Sequence, residues 1–537
     1  MSDQATGQGM VDYIVVGGGS AGCAVASRLS EDPNVSVAVL EMGGDGDKFL
    51  IRTPAAIVLM APTGINSQPF DTVAQPGLNN RLGYQPRGKV LGGSSAVNAM
   101  AYIRGHQSDY DHWAALGNTG WSWDEVLPYF KKSEHNNVIN NEWHGQGGPI
   151  QVSECQSDSP LREVWLDAAK QAGYPLTDDF NGAQQEGIGL FQLTQKNGER
   201  WSAYRGYLQP HVGKRSNLQI ETGALTQRVL FDGKVAVGVE YKQGGVTKKL
   251  MARKEVILSA GAFQSPQLLL LSGVGDAEEL NKHGIPVVHH LPGVGKNLQD
   301  HPDFVFCYKS KSLDTFGISL AGTVRMIREM LRYKNERRGM MTTNFAEGGG
   351  FLKTDAALAT PDIQLHLVTA IVDDHARTLH MGHGFSCHVC VLRPKSRGSV
   401  GIADRNAETA PVIDPNFLGH EDDVEVMLKG YKMTKKLMET AAFAPWISKE
   451  LYTADIKTDD EIRDILRKRT DSVYHPVGSC KMGTDDMAVV DPQLKVRGLS
   501  GLRVVDASIM PTLIGGNTNA PAIMIGEKAA DLIRHSR

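Results

Sequence analysis

Two short apolar, β-branched runs open the chain, Tyr13 to Val16 and Val35 to Leu40. A small-residue stretch, Ala21 to Leu29, and a polar turn at Asp32-Pro33-Asn34 lie between them. Unbroken apolar runs of this length predict parallel strands covered on both faces, and the stretch between predicts a closely packed helix. From Leu218 to Leu258 short β-rich runs are interrupted at Asp232-Gly233 and Gly244-Gly245, which predicts an antiparallel meander. Between residues 320 and 338 the period changes to that of a helix, with Leu320, Val324, Ile327 and Leu331 on one face and arginines elsewhere. That pattern has two readings: a surface helix packing its apolar face inward, or a basic amphipathic helix lying on an anionic membrane. A last helix is predicted from about Pro521 to Ile533, with Ile523, Ala529 and Leu532 on roughly one side.

At 537 residues the chain exceeds what one core usually serves, so two domains are expected. A formal charge of −4 provides no electrostatic footprint for nucleic acid. The start, MSDQATGQGMVDY, has no basic stretch leading into an apolar one, and no run is long and apolar enough to span a bilayer. The expectation is a cytoplasmic protein, with peripheral contact at the inner membrane surface left open by residues 320–338; oligomeric state is not readable. Six cysteines are too few for a disulfide framework in so long a chain. Cys387 and Cys390 form a CxxC, but FSCHVCVL alternates as a strand and sends the two thiols to opposite faces. With no second CxxC, no metal site is expected.

Chemistry enters at the first turn. Gly17, Gly19 and Gly22 fit G-x-G-x-x-G between a strand and a helix. The glycines suit a tight turn, backbone approach to a pyrophosphate, and close helix–strand packing. The helix N-terminus would face the phosphates. Glu41 ends the second strand, placed to accept hydrogen bonds from a ribose. This unit suits FAD and NAD alike.

Residues 86–105 (PRGKVLGGSSAVNAMAYIRG) and 259–275 (SAGAFQSPQLLLLSGVG) resemble the two signature stretches of the glucose–methanol–choline (GMC) oxidoreductases, a flavoprotein family. The resemblance continues through HPVGSCKMG (475–483), LRVVDASIMP (502–511) and GNTNAPAIMIGEKAAD (516–531), and covers nearly the whole chain. Within the family the chain looks most like bacterial FAD-dependent dehydrogenases of aliphatic alcohols and polyethylene glycols. The resemblance implies an α/β (overall α+β) fold. A doubly wound FAD-binding domain (10–155, 220–306 and 468–535) would be interleaved with a substrate domain (156–219 and 307–467) built on an antiparallel sheet with helices. It implies that Gly17, Gly19, Ser20, Ala21, Gly22 and Glu41 hold FAD, together with Gly88, Val90, Gly92, Gly93, Asn98, Ala99, Met100 and Ala101 of the first signature. Val229, Ala260, Asp506, Ala507, Asn519 and Pro521 complete that set. Certain choline-oxidising members attach flavin through a histidine at the position of Val97, so FAD is expected here to be non-covalent.

Oxidising an alcohol requires the hydroxyl proton to leave, since an alkoxide donates hydride far better than an alcohol, and histidine suits that task. By resemblance the base is His475, with Asn519 as second catalytic residue. An amide can donate a hydrogen bond to the developing alkoxide. Asn519 or Ala520 could equally cap the last helix, whose dipole would stabilise reduced flavin. The implied reaction takes primary alcohols to aldehydes, with hydride passing to flavin N5 and electrons to a quinone-type acceptor. Thr53 to Pro62 (TPAAIVLMAP) suits an apolar substrate entrance, although a packing loop would look similar. Alternatives are choline oxidation, with Glu347 as the carboxylate of an ammonium cage, an oxidase using O2, a hydroxynitrile lyase, and a flavin carrier without turnover.

Overall fold

A computed structural model describes residues 9–536. One sheet runs in the order Leu218–Thr222, Val37–Glu41, Gly9–Val16, Val246–Leu258, Val235–Gln243, Ala224–Asp232, with Leu502–Val504 also beside Val246–Leu258. The first four strands and Leu502–Val504 pair in parallel. Their apolar runs, Tyr13–Val16, Val37–Leu40 and Val256–Leu258, are buried on both faces. Leu218–Thr222, expected as the first run of the meander, instead pairs in parallel with Val37–Glu41 at the sheet edge. The last three strands of the order form an antiparallel meander from Ala224 to Leu258. Its turns fall where the glycines require them: Gly233, Gly244 and Gly245 take φ of 57°, 58° and 81°.

A second, antiparallel sheet runs Lys449–Leu451, Pro302–Ser310, Gly382–Val391, Ile363–Val368, Ala346–Leu352, Gly187–Leu190. Helices Leu161–Ala172 and Glu421–Met438 cover one face, where Trp165, Met427 and Tyr431 pack with Phe304, Leu365 and Val389. The opposite face meets the first signature, through Phe351 and Cys390 against Met100 and Ala101. Cys387 and Cys390 therefore lie in different apolar clusters on the two faces of one strand. Strand pairing departs from the expected segment ends in two places. Leu218 already pairs with Val37 in the first sheet, and Pro302 already belongs to the second. Among the described residues no helix is long and apolar enough to cross a membrane.

The last helix spans Asn519–His535, with Thr518 rather than Asn519 or Ala520 at its cap position. It packs against Ser20–Leu29, and at Gly526 a Cβ would lie 2.5 Å from the Ala21 carbonyl oxygen. Glu527, fully buried, accepts hydrogen bonds from Arg28 (2.8 Å) and Tyr207 (2.6 Å), tying the end of the chain to its beginning. Two helices distant in sequence thus start side by side.

Candidate active site

The glycine turn is built for close approach. Gly17 has φ 103°, and a Cβ there would fall 2.4 Å from the Ser259 carbonyl oxygen. At Gly22 a Cβ would fall 2.0 Å from the Gly17 carbonyl oxygen, and at Gly93 2.7 Å from Gly19 Cα. Only hydrogen fits at these places. Glu41 accepts from the Gly18 N–H (2.9 Å) and the Gly43 N–H (2.7 Å), and burial pushes its carboxyl up to about 7. Asp506 accepts from Gly261 N–H (2.9 Å), Ser508 N–H (2.8 Å) and Ser265 Oγ (2.6 Å).

One cavity of about 400 Å³ extends from this turn to His475. Gly17, Gly19, Ser20, Ala21 and Glu41 line it, as do Gly88, Gly93, Asn98, Ala99, Met100 and Ala101, and further on Ala260, Asp506, Ala507 and Asn519. Five expected contacts stand behind the wall instead. Gly22 packs on Gly17, and Gly92 donates its N–H to the Gly18 carbonyl at 2.7 Å. Val90 is buried with Ile51, Met60 and Ala96. The Val229 N–H is taken by Ser272 Oγ at 2.8 Å, and its strand meets the cavity at Ala224, Leu225 and Thr226. Pro521 lies inside the first helical turn, whereas Ala522 faces the cavity.

A chain of hydrogen bonds fixes the protonation pattern at His475. His301 Nε2 lies 3.1 Å from two carbonyl oxygens, of Leu392 and Ile514, which can only accept. Nε2 therefore carries the proton, and burial holds the ring neutral, with its pKa pushed down to about 3. That leaves His301 Nδ1 as an acceptor, 3.0 Å from His475 Nδ1, which must donate. The remaining nitrogen of His475, Nε2, is left unprotonated, its lone pair an acceptor facing the cavity. Burial, reinforced by His301, His366 and Arg87, pushes the His475 pKa well below the ordinary histidine value. The loop is held at its backbone, where Asp300 accepts the His475 N–H at 2.8 Å.

The amide facing that lone pair belongs to Asn517, not Asn519. Asn517 Nδ2 donates to His475 Nε2 at 3.1 Å, and Gln364 Nε2 donates to Asn517 Oδ1 at 2.9 Å, which sets the amide with its NH₂ towards the histidine. Asn519 lines the cavity elsewhere and accepts from Ser20 Oγ at 2.7 Å. The reason is the helix start: Asn519 is already helical and turns towards Ser20–Leu29, while Asn517 precedes the helix and is held by Gln364 of the second sheet. In the sequence the two asparagines are two residues apart in one motif, and nothing local separates them.

His301, His366 and Gln364 carry no sequence motif that distinguishes them from other buried polar residues. His366 lines the cavity, and neither of its ring nitrogens has a hydrogen-bond partner among the described residues. Burial pushes its pKa down to about 3. Glu347 is directed elsewhere: it accepts from Ser157 Oγ at 2.8 Å and from Thr343 Oγ1 at 2.5 Å, and only its neighbours Asn344, Phe345 and Ala346 line the cavity. Ile57, Val58 and Ala61, from the apolar stretch read as an entrance, do line it. Val97 lines it too, with an aliphatic side chain.

Profiles of the GMC oxidoreductase family match residues 11–303 and 394–526. An alcohol dehydrogenase [acceptor] of Pseudomonas putida is 44% identical over 528 residues, covering 98% of this chain and 96% of that protein. The mitochondrial choline dehydrogenase of Homo sapiens is 44% identical over 535 residues, covering 97% of this chain and 89% of its own. Among solved structures, formate oxidase superposes with a TM-score of 0.91 at 28% identity, covering 99% of both chains. Pyridoxine 4-oxidase from Mesorbium loti gives 0.87 at 30% identity over 98% of this chain and 99% of that one. The chain belongs to the GMC oxidoreductases and is an FAD-dependent oxidoreductase of that family.

Proposed function

We propose that the protein oxidises primary alcohols with apolar or polyether chains to aldehydes, holding FAD without a covalent bond and passing electrons to a quinone-type acceptor. The observation that carries the proposal is the unprotonated Nε2 of His475, paired with the Asn517 amide at the cavity. FAD, when bound, supplies the hydride acceptor.

The residues divide the rest of the work. Its diphosphate would lie at the turn of Gly17 and Gly19, where the helix from Ser20 presents unpaired N–H groups. The flavin end would lie towards the start of the Asn519 helix, whose positive pole favours negative charge. A substrate hydroxyl entering between Asn517 and His475 would accept from the amide and donate its proton to His475 Nε2. The amide then steadies the oxygen as negative charge develops. His366 presents further hydrogen-bonding capacity to the same space. Val97 offers no nucleophile to flavin, which supports non-covalent binding, and Ile57, Val58 and Ala61 favour an apolar substrate chain.

Choline is the second reading because the human relative bears that name. It is disfavoured by Glu347, whose carboxylate is engaged by Ser157 and Thr343 away from the cavity. The deciding experiment mixes the purified yellow protein anaerobically with 1-octanol and, separately, with choline, following visible flavin absorbance. Bleaching by octanol is expected, with slow return of colour in air. Bleaching by choline alone would overturn the substrate reading, and rapid reoxidation by air would make the protein an oxidase. Cyanohydrin cleavage without bleaching would replace alcohol oxidation by a lyase reaction.

A further inference from the structure

The helix Leu320–Glu336 is oriented against its own apolar pattern. Its inner face is made by Gly322, Met326, Glu329 and Tyr333. The apolar stripe, Leu320, Val324, Ile327 and Leu331, points outward, with exposures of 85%, 64%, 57% and 59%. An amphipathic surface helix ordinarily turns such a stripe to the core. Ile318, which bridges to Met381, continues the stripe at its N-terminal end, where Met381 and Leu379 are 69% and 76% exposed. Large apolar side chains gathered on one helix and its flank mark a surface that meets something apolar.

Charge says what. Between Leu320 and Arg338 six arginines and lysines stand against two glutamates, in a chain whose formal charge is −4. Arg325, Arg332, Arg337 and Arg338 pair with acidic neighbours. Arg328 and Lys334, which flank the stripe on its two sides, form no ion pair among the described residues. An apolar stripe edged by cations suits the boundary between acyl chains and anionic headgroups. A second copy of the chain would bring the same cations against each other. The inner face gives the position a consequence: Met326 and Tyr333 share a cluster with Ile57, Phe345 and Val372, three residues that line the cavity. The helix therefore packs directly behind lining residues of the cavity, among them Ile57 of the expected entrance.

We infer that Leu320–Glu336 docks the enzyme on an anionic lipid surface, through Leu320, Val324, Ile327 and Leu331 with Arg328 and Lys334, and brings the cavity to the bilayer. This rests on the helix and its neighbours, and holds whatever alcohol is oxidised. The test is flotation of the full-length holoenzyme with vesicles of phosphatidylglycerol and phosphatidylcholine in equal parts, and with phosphatidylcholine alone. Wild type should float with the anionic vesicles and far less with the neutral ones. The Val324→Ser/Ile327→Ser/Leu331→Ser variant should bind at least tenfold more weakly while retaining its flavin and its activity with a soluble dye acceptor. Arg328→Gln/Lys334→Gln should lose most of the preference for anionic lipid. Wild type that stays unbound, or a triple-serine variant that binds as well as wild type, would overturn the inference. So would a wild-type dimer, seen by sedimentation, that the triple-serine change converts to monomer, since the stripe would then be covered by a second copy.

Discussion

His301 touches His475 from behind and, by fixing its tautomer, should carry a measurable share of the rate. His301→Phe keeps the ring's approximate volume but removes the Nδ1 acceptor that faces His475 Nδ1 at 3.0 Å. His475 then either buries an unsatisfied Nδ1–H or moves the proton to Nε2, where the lone pair is needed. Leaving a buried donor without its partner costs about 1–3 kcal/mol, equivalent to a slowing of roughly 5- to 150-fold. His301→Asn is the control. Its Oδ1 can replace the Nδ1 acceptor, while the Leu392 and Ile514 carbonyls lose their donor as they do in the phenylalanine variant. Both variants should therefore share any fall in melting temperature, but only the phenylalanine variant should reduce its flavin slowly. The assay is anaerobic stopped-flow reduction with whichever primary alcohol bleaches wild type fastest, with rates extrapolated to saturating substrate. A phenylalanine variant that is folded, yellow and as fast as wild type would refute the tautomer chain, and so would equal slowing of both variants.

Other consequences are as direct. Asn517→Ala should slow flavin reduction roughly a hundred- to a thousandfold, the cost of removing a donor from a developing oxyanion. Asn519→Ala, which loses the contact with Ser20 but no contact with His475, should slow it far less, and the reverse order would favour Asn519 over Asn517 as the amide that acts with His475. Because His475 is held well below the ordinary histidine value, its base form persists as pH falls. The reduction rate should stay flat from about pH 8 to about pH 6, whereas an ordinary histidine would cost about fourfold over that span. A titration near the ordinary value would show that burial does not govern the base. Arg104 is fully buried, and its Nη2 lies 2.5 Å from Glu134 Oε2. Arg104→Ala should destabilise the fold by about 3 kcal/mol, read by denaturant unfolding, because it removes the buried cation from a carboxylate left with Asn136, His144 and Gly145 as partners.

The sequence was most legible where one local rule decides the outcome. The parallel strands, the hairpins from Ala224 to Leu258 and their glycine turns follow from apolar runs and positive-φ positions, whereas Leu218–Thr222 leaves the meander for the parallel edge of the sheet. The glycine cradle follows for the same reason, since its steric demands lie within one short stretch. Val229 shows the limit: a strand can be identified from its pattern, but which residues reach a cavity depends on register against distant elements. Asn517 and Asn519 show it more sharply. Two residues of offset, decided by where the last helix begins, determine which amide meets His475. His301 and His366 were illegible because their roles come from partners far along the chain, Leu392 and Ile514 for the first and the cavity itself for the second.

Periodicity has a related blind spot, and the Leu320–Glu336 helix exposes it. A helical period identifies a stripe, but the same stripe serves a core or an apolar environment outside the protein. What decides is the opposite face, here Gly322, Met326, Glu329 and Tyr333, a set that no hydrophobicity pattern would select as the buried side. Gly322 makes it workable, because a Cβ there would lie 2.8 Å from the His383 ring, so the helix is seated by close approach on a side other than its apolar stripe. Glu329 is accommodated because it accepts the Met340 N–H at 3.0 Å. A helix fixed this way leaves its best apolar surface unused by the fold, and Met326 and Tyr333 couple that surface to the wall of the cavity. With the inferred docking, one helix would serve surface attachment on one face and back the cavity lining with the other.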